Sequence, residues 1–197
     1  MYYAMMRPSE VAALTAEGCY LPETGWGHLT FADASPAVGR AFTDDGTVHE
    51  HRGLKGRNKG RPNTVSRGRR PARRVPIPPE LVILLREHIN RFGVGPGGRL
   101  FRSENGNPLQ PSTWWRVWQK VREFSLTPAQ VASPLLQRPY DLRHSGVTWR
   151  LNSGVPPTEV AAWAGHSVEV LMRTYAKCMT GMEEVWIARM DGTLHPG

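Results

Sequence analysis

The chain has 197 residues, two cysteines and a formal net charge of +8 at pH 7. This length suits one sizeable hydrophobic core and excludes two large domains. No apolar run has the length of a signal segment or a membrane span, and so few cysteines are typical of a reducing compartment. We therefore expect one cytoplasmic domain.

The first predicted element is a helix near the start of the chain. Pro8 suits a first-turn position, and Val11 and Leu14 lie three residues apart on one face. We expect this helix to end near Gly18. Strand-like runs separated by glycine, proline and basic turns follow at residues 27–32, around 49–54 and at 74–77. They predict a small antiparallel sheet.

The positive charge is concentrated in one segment. Residues 52–74 hold ten of the 25 Lys and Arg residues and no Asp or Glu, which leaves 15 basic against 17 acidic side chains elsewhere. Glycines and prolines predict a loop or hairpin here. One interpretation is a solvated basic loop. The other is an arm that binds DNA phosphates, because clustered cations release condensed counterions. Its candidate residues are Arg52, Arg57, Lys59, Arg61, Arg69 and Arg70.

Two amphipathic helices are predicted next. Residues 79–93 form the first, and its apolar stripe consists of Leu81, Leu84, Leu85, Ile89 and Phe92. The second begins near Ser112, and its apolar positions at helical spacing are Trp114, Val117, Trp118 and Val121. We interpret this second stripe as core packing rather than as tryptophans that stack on bases.

The C-terminal half is predicted to be mainly helical. Helical patterns cover residues 140–152, 156–164, 167–177 and 182–190, with Gly154 and Gly165 as stops. The predicted fold class is therefore α+β and mainly helical, with a small antiparallel sheet in the N-terminal half.

Three short motifs in this half contain the residue types that an attack on a phosphodiester requires. They are Tyr140-Asp-Leu-Arg143-His144, Gly165-His166-Ser167 and Thr174-Tyr175. A tyrosine phenol has an ordinary pKa of about 10, so it needs help to lose its proton. Arginine suits the negative charge that builds on phosphate oxygens, because a guanidinium stays charged and donates in a planar fork.

These motifs resemble the arginine-histidine-tyrosine block of the tyrosine recombinases, the phage-integrase family. The run Arg7-Pro-Ser-Glu10-Val-Ala-Ala-Leu resembles the family's first arginine box. Lys55 and residues 74–78 resemble its lysine hairpin and the strand that follows. The resemblance extends from Arg7 to Tyr175 and implies the DNA breaking and rejoining catalytic fold.

The resemblance also implies how a DNA strand would be cut. Tyr175 is the expected nucleophile, and Arg7 and Arg143 are expected to clamp the scissile phosphate. Glu10 is expected to hold the guanidinium of Arg7. The product is a 3′-phosphotyrosyl link, a covalent intermediate that needs neither a metal nor a nucleotide cofactor for rejoining.

Proton transfer is the part of this scheme with open alternatives. The resemblance assigns Lys55 as general acid, but Lys59 competes because the stretch before Val75 is longer and more arginine-rich than the usual hairpin. His166 is assigned as a phosphate donor or proton carrier. Tyr140 occupies the position where the family most often has a histidine, and a phenol is a poor proton shuttle near neutral pH.

Each site residue also has a purely structural interpretation. In that interpretation Arg7 is a surface residue that forms an ion pair with Glu10, three residues later in the chain. Arg143 and His144 then form an ordinary basic helix face, or His144 is a buried histidine that hydrogen-bonds the backbone. His166 then caps the preceding helix. Tyr175 is able to be a core residue whose hydroxyl is satisfied locally.

The position of Arg7 bears on the domain organisation. It lies six residues from Met1, whereas family members have further helices and a DNA-embracing domain before this arginine. We therefore expect residues 1–197 to be an integrase catalytic domain without those segments. The expected partner is double-stranded DNA and the expected assembly is a homotetramer when the full-length context is present, with residues 182–190 packed in cis or passed to a neighbour.

The predicted function is site-specific recombination of a phage or mobile element. Two alternatives stay open at this point. A noncatalytic DNA-binding remnant would keep the basic segment and the fold, and a type IB topoisomerase would relax supercoils without a specific site.

Overall fold

The computed structural model describes residues 1–31, 33–34, 52–53, 72–179 and 183–194. Its helices within these residues are α1 Pro8–Ala13, α2 Pro79–Phe92, α3 Pro111–Ser125, α4 Pro128–Ala132, α5 Asp141–Asn152, α6 Pro157–Ala164, α7 Val168–Tyr175 and α8 Glu183–Leu194. Its strands are β1 Cys19–Tyr20, β2 Gly27–Phe31, β3 Asp33–Ala34, β4 Arg52–Gly53 and β5 Arg73–Ile77. The prediction of a mainly helical α+β fold with a small antiparallel sheet is confirmed. None of the described helices is long and apolar enough to cross a membrane.

The larger sheet is antiparallel and has the strand order β1-β2-β5. Strands β2 and β5 pair so that Leu29 lies opposite Val75 and Phe31 opposite Arg73. Since side chains alternate along a strand, Arg73 shares a face with Val75 and Ile77, and that face is turned to the core. The face of the sheet that is turned to the core therefore includes Arg73 beside its apolar residues.

The second sheet is a short ribbon of β3 and β4, in which Ala34 pairs with Arg52. It accounts for the described part of the strand predicted around residues 49–54. The remainder of that run, and the basic residues 54–71, lie outside the described part of the chain.

Helix α1 ends earlier than predicted. Pro8 begins it as expected, but its last residue is Ala13, and Leu14 already has extended backbone. The C=O of Leu14 accepts a hydrogen bond from the N–H of Leu100 at 3.0 Å. A helix continuing to Gly18 would remove this bond, so pairing with a distant segment overrides the local helical pattern.

Helix α2 has the predicted bounds, but it buries a different face. Val82 and Leu85 lie in the core, whereas Leu84 is 57% exposed and Phe92 is 53% exposed. Consecutive helical residues are about 100° apart, so a helix that turns Leu85 to the sheet turns Leu84 to its side. The predicted stripe was therefore wrong at Leu84 and Phe92.

The predicted core stripe of α3 was also wrong at Val117 and Val121, while Trp114 and Trp118 are partly buried. Val117 is 54% exposed and Val121 is 44% exposed, while Trp118 is half-buried and donates from Nε1 to the Leu136 C=O at 3.0 Å. Arg122 is the buried side chain of this helix, and its Nη2 bonds the Val131 and Leu135 carbonyls at 3.0 Å each. Thus α3 packs on the small α4 and its loop, which cannot cover a full apolar stripe.

Residues 1–6 pack against the start of the C-terminal half. Met5 is fully buried, and the ring of Tyr2 stacks on Trp149 of α5 with centroids 5.7 Å apart. Arg150 donates to the Tyr3 C=O at 2.7 Å and to the Pro76 C=O at 2.6 Å, which joins this segment to β5. The segment before Arg7 is thereby fixed to the helix that follows Tyr140.

Replacing Gly146 in α5 tests this packing. A Cβ at this position would collide with the backbone of Tyr2, so Gly146→Ala must displace the N-terminal segment. We expect the free energy of unfolding to fall by about 1–3 kcal/mol in chemical denaturation, the usual cost of overpacking. The matched control is Gly192→Ala in α8, where an added Cβ meets nothing within 4 Å. Equal effects of the two substitutions would contradict the packing described.

Candidate active site

The first part of the site is the N-terminus of α1. Arg7 precedes Pro8, the first helical residue, and the carboxylate of Glu10 accepts a hydrogen bond from the Arg7 backbone N–H at 2.7 Å. Proline at the first position and an acidic residue in the first turn both favour a helix start. The same carboxylate binds the Arg7 guanidinium, with Nη1 and Oε1 3.2 Å apart. This short helix therefore fixes the backbone and the side chain of Arg7 together.

Glu10 is a buried counter-charge shared by several arginines. Arg73 donates from Nη1 and Nη2 to its two oxygens at 2.9 Å each, a bidentate pair of the strong kind. Arg143 Nη1 lies 4.0 Å from Glu10 Oε2. Burial raises the pKa of Glu10, but the bonds and charges of Arg73 and Arg7 outweigh it and hold the pKa below its ordinary 4.5. The carboxylate is therefore ionised at neutral pH.

Arg73 is a site residue that the sequence reasoning missed. In the sequence it lies within the basic segment 52–74, but it is not among that segment's candidate DNA contacts. The signal that points to it is the alternation of β5, because Arg73 lies on the same strand face as Val75 and Ile77. Its guanidinium also stacks over the Phe31 ring, 4.9 Å from the centroid.

The Gly-His-Ser motif forms the turn between α6 and α7. Gly165 has left-handed backbone with φ 65° and ends α6, while the His166 N–H donates to the Ala161 C=O at 2.9 Å. Ser167 begins α7, since its hydroxyl accepts a hydrogen bond from the Val170 N–H at 3.3 Å. The backbone of His166 thus caps α6, so its side chain is not needed for capping and lies among the site residues.

Gly165 is also held close to the arginines. Arg7 Nη2 donates to the Gly165 C=O at 3.1 Å. A Cβ at this position would collide with the guanidinium of Arg73. Both the positive φ and the close approach therefore require glycine here.

Arg143 is fully buried near the start of α5. Its guanidinium donates to the Met5 C=O, to the Ala164 C=O at 2.5 Å and to His166 Nε2 at 2.8 Å. In this conformation it joins the N-terminal segment to the end of α6 and contributes its charge at close range. A direct clamp on a phosphate, as the sequence predicted, requires one of these carbonyl bonds to be exchanged.

His166 lies between the arginines and the candidate nucleophile. Burial, and then the charges of Arg143, Arg7 and Arg73, lower its pKa to about 4, so the ring is neutral at pH 7. Because Nε2 accepts from Arg143, the proton of the neutral ring is on Nδ1. This Nδ1 is buried and has no hydrogen-bond partner among the described residues. It is a buried donor that no described residue uses.

Tyr175 is the last residue of α7, and its hydroxyl is bound by a second histidine. His144 Nδ1 lies 2.7 Å from Tyr175 Oη, and the ring of His166 is stacked at 6.4 Å between centroids. Tyr175 is 4% exposed. Burial raises the pKa of its phenol, and the charge of Arg143 opposes that shift only in part.

The structure thus places His144 differently from the bonded-to-backbone interpretation. Its ring is packed edge-on against Tyr140 at 5.1 Å, one helical turn earlier. Tyr140 in turn faces the guanidinium of Arg143, 6.0 Å from its ring centroid. Tyr140 therefore lines the site with its ring, and His144 presents its Nδ1 to the Tyr175 hydroxyl.

The site brings together the described residues that the resemblance singled out, namely Arg7, Glu10, Tyr140, Arg143, His166 and Tyr175. The two lysine candidates, Lys55 and Lys59, lie outside the described residues, as do Arg57, Arg61, Arg69 and Arg70. Of Arg52 only the backbone is described. Across the described part of the chain, no group of three or more His, Cys, Asp or Glu residues is arranged to hold a metal ion.

Comparisons with protein-family models and with curated proteins give no match. Solved structures do match. One is the Tn1549 transposon integrase in complex with transposon right end DNA, at TM-score 0.61 and 18% identity over 100% of this chain. The same integrase with a circular intermediate DNA matches at TM-score 0.63 and 19% identity over 96%. The XerH site-specific recombinase bound to palindromic difH substrate matches at TM-score 0.60 and 16% identity over 93%.

This chain covers 56%, 55% and 42% of those three chains, so it spans about half their length. At these identities the matches show the fold. It is the fold of the tyrosine recombinase catalytic domain, as the motifs predicted.

Proposed function

We propose that this chain is the catalytic part of an enzyme that breaks and rejoins double-stranded DNA, a tyrosine-type site-specific recombinase of a phage or mobile element. The observation that carries the proposal is the convergence of Arg7, Arg143, His166 and Tyr175 at one site. These residues come from four separate motifs. Arg143 bonds His166, the His166 ring stacks on that of Tyr175, and Arg7 bonds the C=O of Gly165, which precedes His166. The neighbours of known structure were solved with DNA.

The proposed reaction exchanges one phosphodiester for another. Tyr175 Oη forms a bond to the scissile phosphorus, the bond to the 5′-oxygen breaks, and the DNA is left with a 3′-phosphotyrosyl link. Arg7, half-open to solvent, and the unpartnered Nδ1–H of His166 are the donors for the nonbridging oxygens. Lys55 remains our proposed acid for the leaving 5′-oxygen, with Lys59 as the alternative, and a homotetramer on two duplexes is the proposed assembly.

The test is a search for the covalent intermediate. The protein is incubated with a pool of nicked duplexes that have a randomised central segment, denatured in SDS, digested and analysed by mass spectrometry. We expect a nucleotide attached through phosphate to Tyr175. The nick lets the short fragment that carries the freed 5′-hydroxyl diffuse away, so the link cannot be reversed and is trapped. A link on another residue, or none at all, contradicts the proposal. Relaxation of supercoiled plasmid without sequence preference would favour the topoisomerase alternative.

A second candidate is a noncatalytic DNA-binding protein, and one observation favours it. Tyr175 is 4% exposed and Arg143 is 0% exposed, so neither reaches solvent in this conformation. Such a protein would bind the same duplex pool with a strong salt dependence and form no covalent link. The mass spectrometry above separates the two functions directly.

A further inference from the structure

His144 contacts the hydroxyl of the candidate nucleophile from a neighbouring helix. It follows Arg143 on α5, and its Nδ1 lies 2.7 Å from Tyr175 Oη on α7, across 31 residues of chain. Its ring is held on two sides, by Tyr140 at 5.1 Å and by Tyr175 at 5.8 Å between centroids. A side chain fixed in this way presents one nitrogen to one hydroxyl.

The other groups near the hydroxyl are engaged elsewhere. His166 Nε2 is occupied by Arg143 Nη2 at 2.8 Å, and its Nδ1 carries the ring proton. Tyr140 contacts His144 through its ring, and a phenol is a weak base. The carboxylate of Asp141 is bound by the Arg138 backbone N–H at 2.8 Å. Among the described residues, His144 is therefore the base within hydrogen-bond reach of Tyr175.

We infer that His144 orients Tyr175 and accepts its phenolic proton at Nδ1 as Oη attacks phosphorus. The O–H bond breaks and an N–H bond forms on the imidazole, while the Oη–P bond forms and the P–O5′ bond breaks. In rejoining, the imidazolium returns the same proton to Oη as tyrosine leaves. This inference rests on the proposed function.

The surroundings of His144 suit a proton acceptor. The titratable and charged groups that face it are Tyr140, Tyr175, Asp141, Arg143, Arg138 and His166. Burial lowers the pKa of His144, as do the charges of Arg143 and Arg138, whereas Asp141 opposes the shift. The ring is thus neutral at pH 7, while burial raises the pKa of Tyr175 and prevents the phenol from ionising unaided.

His144→Gln is the test, because glutamine keeps a hydrogen-bonding side chain and loses the basic nitrogen. The rate of covalent adduct formation with the randomised nicked pool is measured against pH. For wild type we expect a plateau above the pKa of His144. For His144→Gln we expect a rate about 10²–10⁴ lower at neutral pH, the usual contribution of general base catalysis. The rate of the variant should rise about tenfold per pH unit, since hydroxide must then remove the phenolic proton of Tyr175.

The matched control is His88→Gln. His88 Nε2 bonds the Leu100 C=O at 2.9 Å, and glutamine is able to donate there too, so adduct formation should keep its wild-type rate and plateau. A His144→Gln rate within about twofold of wild type, with the same plateau, would overturn the inference and leave the function standing. No adduct from wild-type protein would overturn both.

A measurement without DNA tests the same contact. In protein with carbon-13-labelled tyrosine, the Tyr175 ring-carbon resonance should shift as pH passes through the pKa of His144, and this step should be absent in His144→Gln. A wild-type resonance that does not change over this range would show that the two side chains are not hydrogen bonded in solution, which would also overturn the inference.

Discussion

Tyr175→Phe is expected to abolish the covalent adduct while the protein stays folded and continues to bind DNA. Phenylalanine keeps the buried ring and removes only the hydroxyl, which is both the nucleophile and the partner of His144. We expect the free energy of unfolding to fall by no more than about 1 kcal/mol, the net value of one hydrogen bond. Affinity for the duplex pool should not change, because phosphate contacts by Lys and Arg dominate it.

Three measurements on one preparation check this expectation: SDS-resistant adduct, chemical denaturation, and DNA binding as a function of salt. Tyr20→Phe is the control, since Tyr20 is 55% exposed and packs on His28 outside the site. It should form the adduct at the wild-type rate. An adduct that persists in Tyr175→Phe would move the nucleophile to another residue.

Glu10→Gln is expected to have the largest effect on stability. The substitution keeps the shape of the side chain and removes the only carboxylate that the described residues place among Arg7, Arg73 and Arg143. Removing one partner of a buried ion pair leaves uncompensated charge, so the free energy of unfolding at pH 7 should fall by about 3–5 kcal/mol. Urea denaturation measures the loss. Glu87→Gln, on the exposed side of α2, should leave the stability unchanged.

The effect of Glu10→Gln should depend on pH in one direction. The pKa of Glu10 is lower in the folded protein than its ordinary 4.5, so its stabilisation is fully present above that value. It is lost as the pH falls through the folded pKa, because the proton then binds both states. The difference between wild type and variant should therefore shrink in acid. A constant difference would show that Glu10 stabilises by shape rather than by charge.

The sequence allowed a good prediction of the helices that end at strong local signals. The limits of α2 follow from Pro79 and Gly93, and the turn between α6 and α7 follows from Gly165 and Ser167. These signals act within one helical turn, so they can be recognised without knowledge of the fold. Because the motifs follow one another in the order typical of the recombinases, the sequence also indicated which residues form the site.

The misses have a common physical origin in contacts between distant residues. The bond between Arg73 and Glu10 joins residues 63 positions apart, and the pair His144 and Tyr175 is separated by 31. The burial predicted for Val117 and Val121 of α3 was wrong for a related reason. Periodicity indicates that a helix has an apolar stripe, but it does not indicate how much neighbouring structure covers that stripe.

The ion cluster around Glu10 has a net positive charge. Three guanidiniums surround one carboxylate and His166 is neutral, which leaves two positive charges in excess. An intact phosphodiester carries one negative charge, and the phosphorane formed by attack of a deprotonated tyrosine carries two. Under the proposed function the +2 charge of this cluster equals the phosphorane's charge in size, while His144 holds the tyrosine proton, so the cluster attracts the transition state more strongly than bound substrate. Glu10 then has a role beyond folding, because without its charge the three guanidiniums would exceed the two negative charges that the reaction develops.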